Sequence, residues 1–190
     1  MTRIVAGRWA SRRLTTLAGS STRPTSERVR EAVFNHLAVR LGRGAVAPAE
    51  QLAGVSLIDL FAGSGAIGFE AASRGADPVA WVERQPAAAR VIEQNKRQLG
   101  ASGRLYRAEV GHFVRTAAAQ PFTVVWLDPP YSLPTAEVDQ LVTALRHHGW
   151  LAEAGLLVLE RSRSAVRPDL SNFTDTWSRD YGDTCVYSAR

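Results

Sequence analysis

Apolar positions along the chain fall into short continuous runs that alternate with longer segments of helical spacing. The continuous runs are typical of parallel strands that are buried on both faces. Five strands are predicted on this basis, at residues 55–60, 78–83, 104–107, 122–127 and 156–160. Four helices are predicted between and beside them, at residues 65–74, 86–99, 110–119 and 135–148. Strands that alternate with helices predict an α/β fold, with a mostly parallel sheet covered by helices on both faces.

The two ends of the chain show different patterns. Residues 1–19 alternate in short bursts and predict a small β-hairpin arm, which is too small to fold without the main body. Thr25 or Ser26 is the expected N-cap of a helix that follows the arm. The apolar positions of that helix recur at helical spacing: Val29, Val33, Phe34, Leu37 and Leu41. Residues 173–187, with a Gly-Asp break between two runs rich in Thr, Tyr and Trp, predict an antiparallel hairpin.

Composition narrows the class of protein. A chain of 190 residues with 45% hydrophobic and 22% charged residues is an ordinary globular protein with one substantial core. No apolar run approaches the roughly 20 residues of a membrane span, and the first residues lack the apolar core of a signal peptide. A cytoplasmic location is therefore expected. Cys185 is the only cysteine and the histidines share no ligand spacing with carboxylates, so no disulfide or metal site is expected.

Positive charge is concentrated at one end of the chain. Residues 1–43 hold nine arginines and two acids, so this segment is +7 while the whole chain is +5. A basic end on a nearly neutral body suggests a polyanionic partner that is bound from one side. Arginine drift in a GC-rich genome is the alternative, since Lys96 is the only lysine. Drift explains the choice of arginine over lysine, but it does not explain the position of the excess.

A glycine-rich loop follows the first buried strand. Gly63, Gly65 and Gly68 match the spacing G-x-G-x-x-G, and Glu83 ends the second strand about 20 residues further on. Such glycines let the backbone approach a ligand, and a carboxylate at position 83 can accept hydrogen bonds from ribose hydroxyls. The loop alone fits a dinucleotide as well as other nucleoside cofactors.

Asp59 separates the two cofactor classes. NAD would place an anionic pyrophosphate at the start of the helix, where Asp59 would repel it. S-adenosylmethionine has no phosphate and carries an ammonium and a sulfonium, so a carboxylate here favours it. Asp59 could also cap the turn through backbone N–H groups, and the two roles are compatible. Glu109, after the third strand, stands where a polar contact to adenine is expected, although it could be a solvated loop acid.

The tetrapeptide Asp128-Pro129-Pro130-Tyr131 follows the most apolar strand. Two consecutive prolines fix two φ angles, so that the Asp128 carboxylate and the Pro129 carbonyl can project rigidly as acceptors. An exocyclic base amine is a poor nucleophile because its lone pair is delocalised into the ring. Two acceptors that hold its N–H hydrogens free the lone pair, while the face of Tyr131 stacks the base. A simple strand-ending turn is the alternative interpretation of the two prolines.

These motifs resemble those of class I S-adenosylmethionine-dependent methyltransferases that methylate amino groups. The segments Arg3-Ile4-Val5-Ala6-Gly7-Arg8-Trp9 and 23–35, together with the loop and the tetrapeptide, resemble the bacterial 16S rRNA (guanine-N2)-methyltransferase family over nearly the whole chain. The resemblance implies a Rossmann-like fold with a seven-stranded, mostly parallel sheet and a small N-terminal β-hairpin arm. It implies methyl transfer from S-adenosylmethionine to N2 of one guanine in 16S rRNA, within the 30S subunit or an assembly intermediate, by a monomer without membrane contact.

The resemblance also assigns residues. Asp128, Pro129, Pro130 and Tyr131 match the catalytic positions. The expected cofactor contacts come from four segments: Arg23, Pro24 and Thr25; Asp59, Phe61, Gly63, Ser64 and Gly65; Glu83 and Arg84; Glu109 and Val110. The pair Glu109-Val110 departs from the Asp or Asn followed by Ala that is frequent in the family, which weakens the expected adenine contact. Tyr131 stands where some relatives have Phe, and the stacking face is kept.

The arm is the expected RNA contact. Its candidate RNA-binding residues are Arg3, Arg8, Trp9, Arg12, Arg13 and Arg23. Trp9 could stack a base or anchor the arm to the body. The target base must be unpaired or flipped outward to reach Asp128. Residues 1–22 are predicted as the arm and residues 23–190 as the methyltransferase domain.

Four further interpretations remain open to test. Arg28, Arg30 and Glu31 on the first helix fit a solvated face with pairing between neighbouring turns. A DNA adenine-N6 methyltransferase keeps the same chemistry, although the chain has no separate base-reading domain. An NAD-dependent oxidoreductase and a non-catalytic RNA-binding assembly factor are alternatives from other classes.

Overall fold

The computed structural model describes residues 2–17 and 26–190. The strands in this part of the chain are β1 (Thr2–Arg3), β2 (Arg13–Leu14), β3 (Leu57–Leu60), β4 (Val79–Val82), β5 (Arg104–Tyr106), β6 (Phe122–Leu127), β7 (Leu151–Ser162), β8 (Thr176–Tyr181) and β9 (Thr184–Ala189). The helices are α1 (Glu27–Arg40), α2 (Ala66–Ser73), α3 (Pro86–Leu99), α4 (Val110–Phe113) and α5 (Thr135–His147). None of the helices described here is long and apolar enough to cross a membrane.

Seven strands form one sheet in the order β5-β4-β3-β6-β7-β9-β8, and β1 pairs with β2 in a separate hairpin. Strands β3 to β7 are parallel, and β9 runs antiparallel to both β7 and β8. From β3 the chain first builds the sheet outward to β4 and β5, and then returns to place β6 on the other side of β3. This reversal opens a crevice beyond the carboxyl ends of β3 and β6, where open α/β sheets bind their ligands. The predicted α/β sheet and hairpin arm are confirmed.

Both faces of the sheet are covered, which explains the continuous apolar runs. In β6, Val124 and Trp126 face the layer that contains α1, α2 and α3, whereas Val125 and Leu127 face the layer that contains α4 and α5. On the first side Trp126 stacks on Phe34 of α1, with 5.7 Å between ring centroids. A strand that is buried on both faces therefore does not show the alternation of apolar and polar residues seen in a half-exposed strand.

Local signals set most helix ends. The Ser26 side chain accepts a hydrogen bond from the Val29 N–H at 3.3 Å and caps α1, as expected for this position. Pro86 begins α3, and Gly100 ends it in the left-handed conformation, with φ 64°.

The predicted helix at 110–119 is wrong in its length, because α4 ends at Phe113. Backbone groups that would have continued this helix form hydrogen bonds with residues distant in the sequence instead. The Trp150 Nε1–H donates to the carbonyl oxygen of Thr116 at 2.9 Å, and the Ala118 N–H donates to the carbonyl oxygen of His148 at 3.0 Å. The predicted strand at 156–160 is also longer than expected, since β7 begins at Leu151.

The arm is fixed to the body through a buried carboxylate. Glu70 of α2 accepts hydrogen bonds from the N–H groups of Val5 at 2.7 Å and Ala6 at 3.0 Å. The same carboxylate pairs with Arg30 at 3.5 Å and with Arg74 at 2.9 Å, and all three charged side chains are fully buried. The expectation that Arg30 lies on a solvated face is therefore wrong. Its partner lies 40 positions further along the sequence, beyond the reach of any helical spacing rule.

Candidate active site

The glycine-rich loop connects β3 to α2 at the crevice. Gly65 caps α2 in the left-handed conformation, with φ 81°, which a side chain rarely adopts. Gly68 is required for packing, because a Cβ at this position would lie 2.2 Å from Nε1 of Trp81 on β4. The Trp81 Nε1–H in turn donates to the carbonyl oxygen of Gly65 at 3.1 Å. The two glycines therefore bring the start of α2 directly against the neighbouring strand.

Glu83 follows β4 and lies beside this loop. Its Oε2 accepts a hydrogen bond from the Gly63 N–H at 2.8 Å, and its Oε1 accepts one from the Gln85 N–H at 2.7 Å. The carboxylate is almost fully buried and bridges the loop and the start of α3. Each carboxylate oxygen can accept more than one hydrogen bond, so these contacts leave capacity for a ligand hydroxyl.

Asp59 lies in β3, two residues before the loop begins to turn, and is fully buried. Its Oδ2 accepts a hydrogen bond from the Gly68 N–H at 3.1 Å. Burial raises the pKa of Asp59 from 3.8 to about 8; this hydrogen bond opposes the rise, and repulsion from Glu83 adds to it. Asp59 therefore caps the turn, and near neutral pH its carboxyl group is mostly protonated. A cation in the crevice would reverse that preference by stabilising the ionised form.

Glu109 caps α4 from its exposed N-cap position. Its two carboxylate oxygens accept hydrogen bonds from the N–H groups of Gly111 at 2.9 Å and His112 at 2.7 Å. Burial acts to raise the pKa of Glu109, but these two bonds and the positive charges of Arg84 and Arg115 bring it below its usual value. Arg84 thus lies near the Glu109 carboxylate, at the rim of the crevice. Val110, the next predicted contact, is buried in the core.

Two other loop residues are held by their surroundings. Phe61 has a positive φ of 63°, a rare conformation for a residue with a side chain, and it packs against the core layer of α4 and α5. The carbonyl oxygen of Ser64 accepts a hydrogen bond from Nδ2 of Asn95 at 3.2 Å. Asn95 is buried on α3 and also exchanges two hydrogen bonds with the backbone of Thr15 in the arm. Sequence reasoning missed Asn95, which links the arm to the loop.

The tetrapeptide begins immediately after β6. Because β3 and β6 are parallel with Leu60 opposite Leu127, the tetrapeptide starts beside the glycine-rich loop. The Asp128 N–H donates to the carbonyl oxygen of Leu60 at 3.5 Å. Pro129 is buried, Pro130 is partly buried and the Tyr131 side chain is 54% exposed. The tyrosine ring is thus available to a large ligand, next to the loop predicted to bind the cofactor.

Two residues outside the tetrapeptide hold it in place. The Tyr131 hydroxyl and the Thr184 Oγ1 of β9 form a hydrogen bond of 3.0 Å. Arg161 of β7 donates to the carbonyl oxygens of Leu133 at 2.7 Å and Pro130 at 3.5 Å. Sequence reasoning missed both. The only available signal was their position at the crevice edge of the sheet, and the identity of their partners is a tertiary property.

The arm presents charged residues to solvent. Arg3, Arg8, Arg12 and Arg13 are exposed. Arg3 pairs with Glu27 at 2.9 Å, and a nitrogen of the Arg12 guanidinium donates to the carbonyl oxygen of Gln98 at 3.2 Å. Trp9 is partly buried against the core and carries the Arg8 guanidinium 4.2 Å above its ring.

The Trp9 N–H also donates to Oγ of Ser73 at 2.9 Å. These contacts fit the anchoring role that was considered for Trp9. Arg23, Pro24 and Thr25, and the predicted boundary between residues 22 and 23, lie outside the described residues.

Comparison with known proteins places this arrangement in a family. The family model described as conserved hypothetical protein 95 matches residues 2–190. The ribosomal RNA small subunit methyltransferase D of Haemophilus influenzae is 34% identical over 178 residues, covering 90% of this chain and 84% of that protein. The protein of the same name from Escherichia coli is 31% identical over 177 residues, covering 93% and 81%. The chain belongs to the family described as conserved hypothetical protein 95. The resemblance drawn from the sequence is confirmed at the level of the family.

Solved structures share the fold. A hypothetical protein of Thermus thermophilus superposes with a TM-score of 0.82 at 30% identity, covering 100% of this chain and 99% of that chain. The 16S rRNA N2 G1207 methyltransferase of the same species, solved with AdoMet and guanosine, has a TM-score of 0.67 at 17% identity, covering 92% and 44%. The second likeness shows the fold alone. The predicted Rossmann-like, class I methyltransferase fold of this family member is confirmed.

Proposed function

We propose that the chain transfers a methyl group from S-adenosylmethionine to the exocyclic N2 of a guanine in 16S rRNA. The observation that carries the proposal is the hydrogen bond between Asp128 and Leu60, which joins the amine-binding tetrapeptide to the start of the cofactor loop. Methyl transfer needs the donor and the acceptor amine in line and in contact. Two motifs at one crevice, one suited to each reactant, meet that requirement.

The residues around the loop fit S-adenosylmethionine. When bound, this donor supplies a methyl group on a positively charged sulfur. Asp59, buried beneath the loop, would gain a cationic neighbour and become ionised, whereas the pyrophosphate of NAD would oppose that ionisation and would gain no favourable charge there. In this proposal Glu83 accepts hydrogen bonds from ribose hydroxyls, and Glu109 and Arg84 border the adenine. The same charge pattern argues against the NAD-dependent oxidoreductase.

The tetrapeptide supplies the rest of the chemistry. The Asp128 carboxylate and the Pro129 carbonyl accept the two N–H hydrogens of the base amine, so the nitrogen lone pair is released from the ring and attacks the methyl carbon. When bound, the donor would supply the methyl carbon and would depart as a neutral thioether as the carbon–sulfur bond gave way to the new carbon–nitrogen bond, while these two acceptors keep the amine nitrogen in line. The methylated nitrogen then loses one proton to the Asp128 carboxylate. The exposed ring of Tyr131 stacks the base during these steps.

An rRNA substrate is supported by the family and by the arm. Its relatives from Haemophilus influenzae and Escherichia coli carry the name ribosomal RNA small subunit methyltransferase D. The exposed arginines at positions 8, 12 and 13 provide phosphate contacts on one side of the molecule. We further propose residues 1–22 as an RNA-binding arm on a methyltransferase domain of residues 23–190, which acts as a monomer on 16S rRNA in the 30S subunit or an assembly intermediate.

A labelled-methyl transfer assay tests the proposal. Small subunits from cells that lack this protein are incubated with the purified chain and labelled donor, and the 16S rRNA is digested and mapped by mass. We expect one labelled nucleoside, N2-methylguanosine, at one position. Label in duplex DNA adenine would instead establish the DNA methyltransferase. Absence of transfer to RNA or DNA, with RNA binding retained, would establish the assembly factor.

A further inference from the structure

Arg161 lies behind the tetrapeptide, at the crevice end of β7. The side chain is almost fully buried. One terminal nitrogen of the guanidinium donates to the carbonyl oxygen of Leu133 at 2.7 Å, and the other donates to that of Pro130 at 3.5 Å. One rigid side chain therefore contacts two carbonyl groups of the segment that follows Asp128.

The positive charge of Arg161 also interacts electrostatically with residues of the tetrapeptide. Burial lowers the pKa of Arg161, while the negative charge of Asp128, followed by Asp139 and the two tyrosines Tyr131 and Tyr187, acts to raise it. An arginine stays protonated in proteins under all ordinary conditions. A buried positive charge therefore lies within electrostatic range of the carboxylate that is proposed to hold the base amine.

The segment needs such a contact. The two prolines fix their own φ angles and restrict the ψ angles of Asp128 and Pro129, but beyond them a single turn hydrogen bond, from the Leu133 N–H to the carbonyl oxygen of Pro130 at 2.9 Å, closes the loop. The Tyr131 hydroxyl is held at its far end by Thr184. The planar guanidinium adds two donors of fixed mutual geometry from beneath.

We propose that Arg161 is a positioning residue for methyl transfer: its paired hydrogen bonds to Pro130 and Leu133 fix the loop, so that the acceptors at Asp128 and Pro129 meet the base amine in line with the donor. The proposal rests on the methyltransferase function proposed above. It separates positioning from binding, because none of the hydrogen bonds described for Arg161 reaches the glycine-rich loop.

The test compares three variants in the methyl-transfer assay. Arg161→Met keeps the apolar stem and removes both the charge and the donors. Arg161→Lys keeps the charge but cannot reproduce the fixed pair of donors. Arg163→Met, which removes an exposed arginine two residues further on, is the matched control.

We expect kcat to fall about 100-fold in Arg161→Met, with the Kd for the donor changed by less than about twofold. Arg161→Lys should recover only a small part of the loss, and Arg163→Met should keep the wild-type kcat. Wild-type kcat in Arg161→Met would overturn the proposal, and so would full recovery in Arg161→Lys, which would assign the effect to charge. A parallel loss of kcat, donor affinity and unfolding midpoint would also overturn it, since it would indicate a general structural role.

Amide hydrogen exchange provides a readout that does not depend on catalysis. We expect faster exchange at residues 131–133 in both Arg161 variants, with exchange in α2 and α3 unchanged. Unchanged exchange at 131–133 would overturn the proposal even if activity were lost. Absence of methyl transfer by the wild-type chain would instead remove the proposed function, while the exchange result would still decide whether Arg161 orders the loop.

Discussion

The main-chain N–H of Asp128 donates a hydrogen bond of 3.5 Å to the carbonyl oxygen of Leu60. Leu60 ends β3 and Asp128 follows β6, so this bond joins the carboxyl ends of the two strands between which the strand order reverses. It ties the tetrapeptide at residues 128–131 to the glycine-rich loop through backbone alone. The side chain of Asp128 can therefore be changed without breaking the link between the two motifs.

Replacement of that side chain should separate chemistry from binding. In Asp128→Ala we expect kcat to fall by about 100-fold to 1,000-fold, the scale seen when one preorganised polar partner of a transition state is removed. The Kd for S-adenosylmethionine should stay within about twofold, because the main-chain bond remains. Labelled-methyl transfer and calorimetry measure the two quantities. Glu137→Ala, an exposed acid at the start of α5, is the control and should be active. Turnover retained in Asp128→Ala would remove this residue from the mechanism.

Glu83 is expected to affect donor binding instead. Glu83→Ala removes the proposed ribose acceptor and leaves the N–H groups of Gly63 and Gln85 without their partner. A lost hydrogen bond to a charged group costs about 1.5–3 kcal/mol, so the Kd for the donor should rise by about 10-fold to 100-fold. Glu83→Gln keeps one acceptor oxygen, so its Kd for the donor should lie between those of the wild type and Glu83→Ala. Glu93→Ala, on the outer part of α3, is the control. An unchanged Kd in Glu83→Ala would contradict the ribose role.

Asp59 makes a pH-dependent contribution to stability. Its pKa is raised from 3.8 to about 8 in the fold, so between these values the folded chain holds a proton that the unfolded chain has released. Stability from this group is therefore highest below pH 3.8, falls by at most about 1.4 kcal/mol per pH unit through the window, and levels off above pH 8. Asp59→Asn removes this dependence. We expect the difference in unfolding free energy between variant and wild type to grow from pH 5 to pH 8. A constant difference would show that Asp59 is ionised throughout.

The same proton provides a test of the donor site. If the ammonium and sulfonium of S-adenosylmethionine lie near Asp59, their binding at pH 7 should ionise this group and release close to one proton. Calorimetry in two buffers of different ionisation enthalpy measures the release. Asp59→Asn should abolish it. Release of the same size in Asp59→Asn would assign the proton to another group.

The site could be predicted from the sequence where its chemistry is local. Gly65 and Gly68 predict a tight turn and a close approach of the backbone to a neighbouring group. The two prolines predict a rigid segment. Neither prediction depends on the rest of the chain. A parallel sheet then places the ends of its strands at one edge, which brings the loop and the tetrapeptide together. These parts of the site follow from residue type and strand order.

The remainder depends on partners that are distant in the sequence. Arg30 falls among charged residues on a helix, so the pattern favours solvent, yet Glu70 and the arm enclose it. Arg161 ends an apolar strand, and no spacing rule identifies Pro130 as its acceptor. The end of α4 differs from the predicted one for the same reason, since the backbone beyond this helix is hydrogen-bonded to the Trp150 side chain and to the His148 carbonyl oxygen.

The arm is best tested by substitution. Its deletion would expose the buried Glu70 and would confuse stability with RNA binding. The triple variant Arg8→Ala, Arg12→Ala and Arg13→Ala changes only exposed side chains. We expect weaker binding to 16S rRNA and a shallower salt dependence, with the slope reduced by about one unit for each arginine that binds a phosphate. The Kd for the donor should be unchanged. An unaltered salt slope would mean that the arm does not contact RNA.

Glu70 itself is expected to decide whether the arm folds. Its carboxylate offsets two buried guanidinium groups, Arg30 and Arg74, and accepts two N–H groups of the arm. Removal of one partner from a buried ion pair leaves the other charge uncompensated, at a cost of about 3–5 kcal/mol. Glu70→Ala should therefore lower the unfolding free energy by this amount, whereas Glu31→Ala, an exposed acid on α1, should change it by less than about 0.5 kcal/mol.

Glu70→Gln distinguishes charge from hydrogen bonding. The amide oxygen keeps one acceptor for the arm but does not neutralise Arg30 and Arg74. If charge dominates, Glu70→Gln should be nearly as unstable as Glu70→Ala in chemical denaturation, and faster amide exchange should begin at Val5 and Ala6. If Glu70→Gln has wild-type stability, the two arginines must be compensated by their other contacts, such as the hydrogen bond of 2.7 Å from Arg74 to Oε1 of Gln51. In that case the carboxylate anchors the arm only through its backbone acceptors.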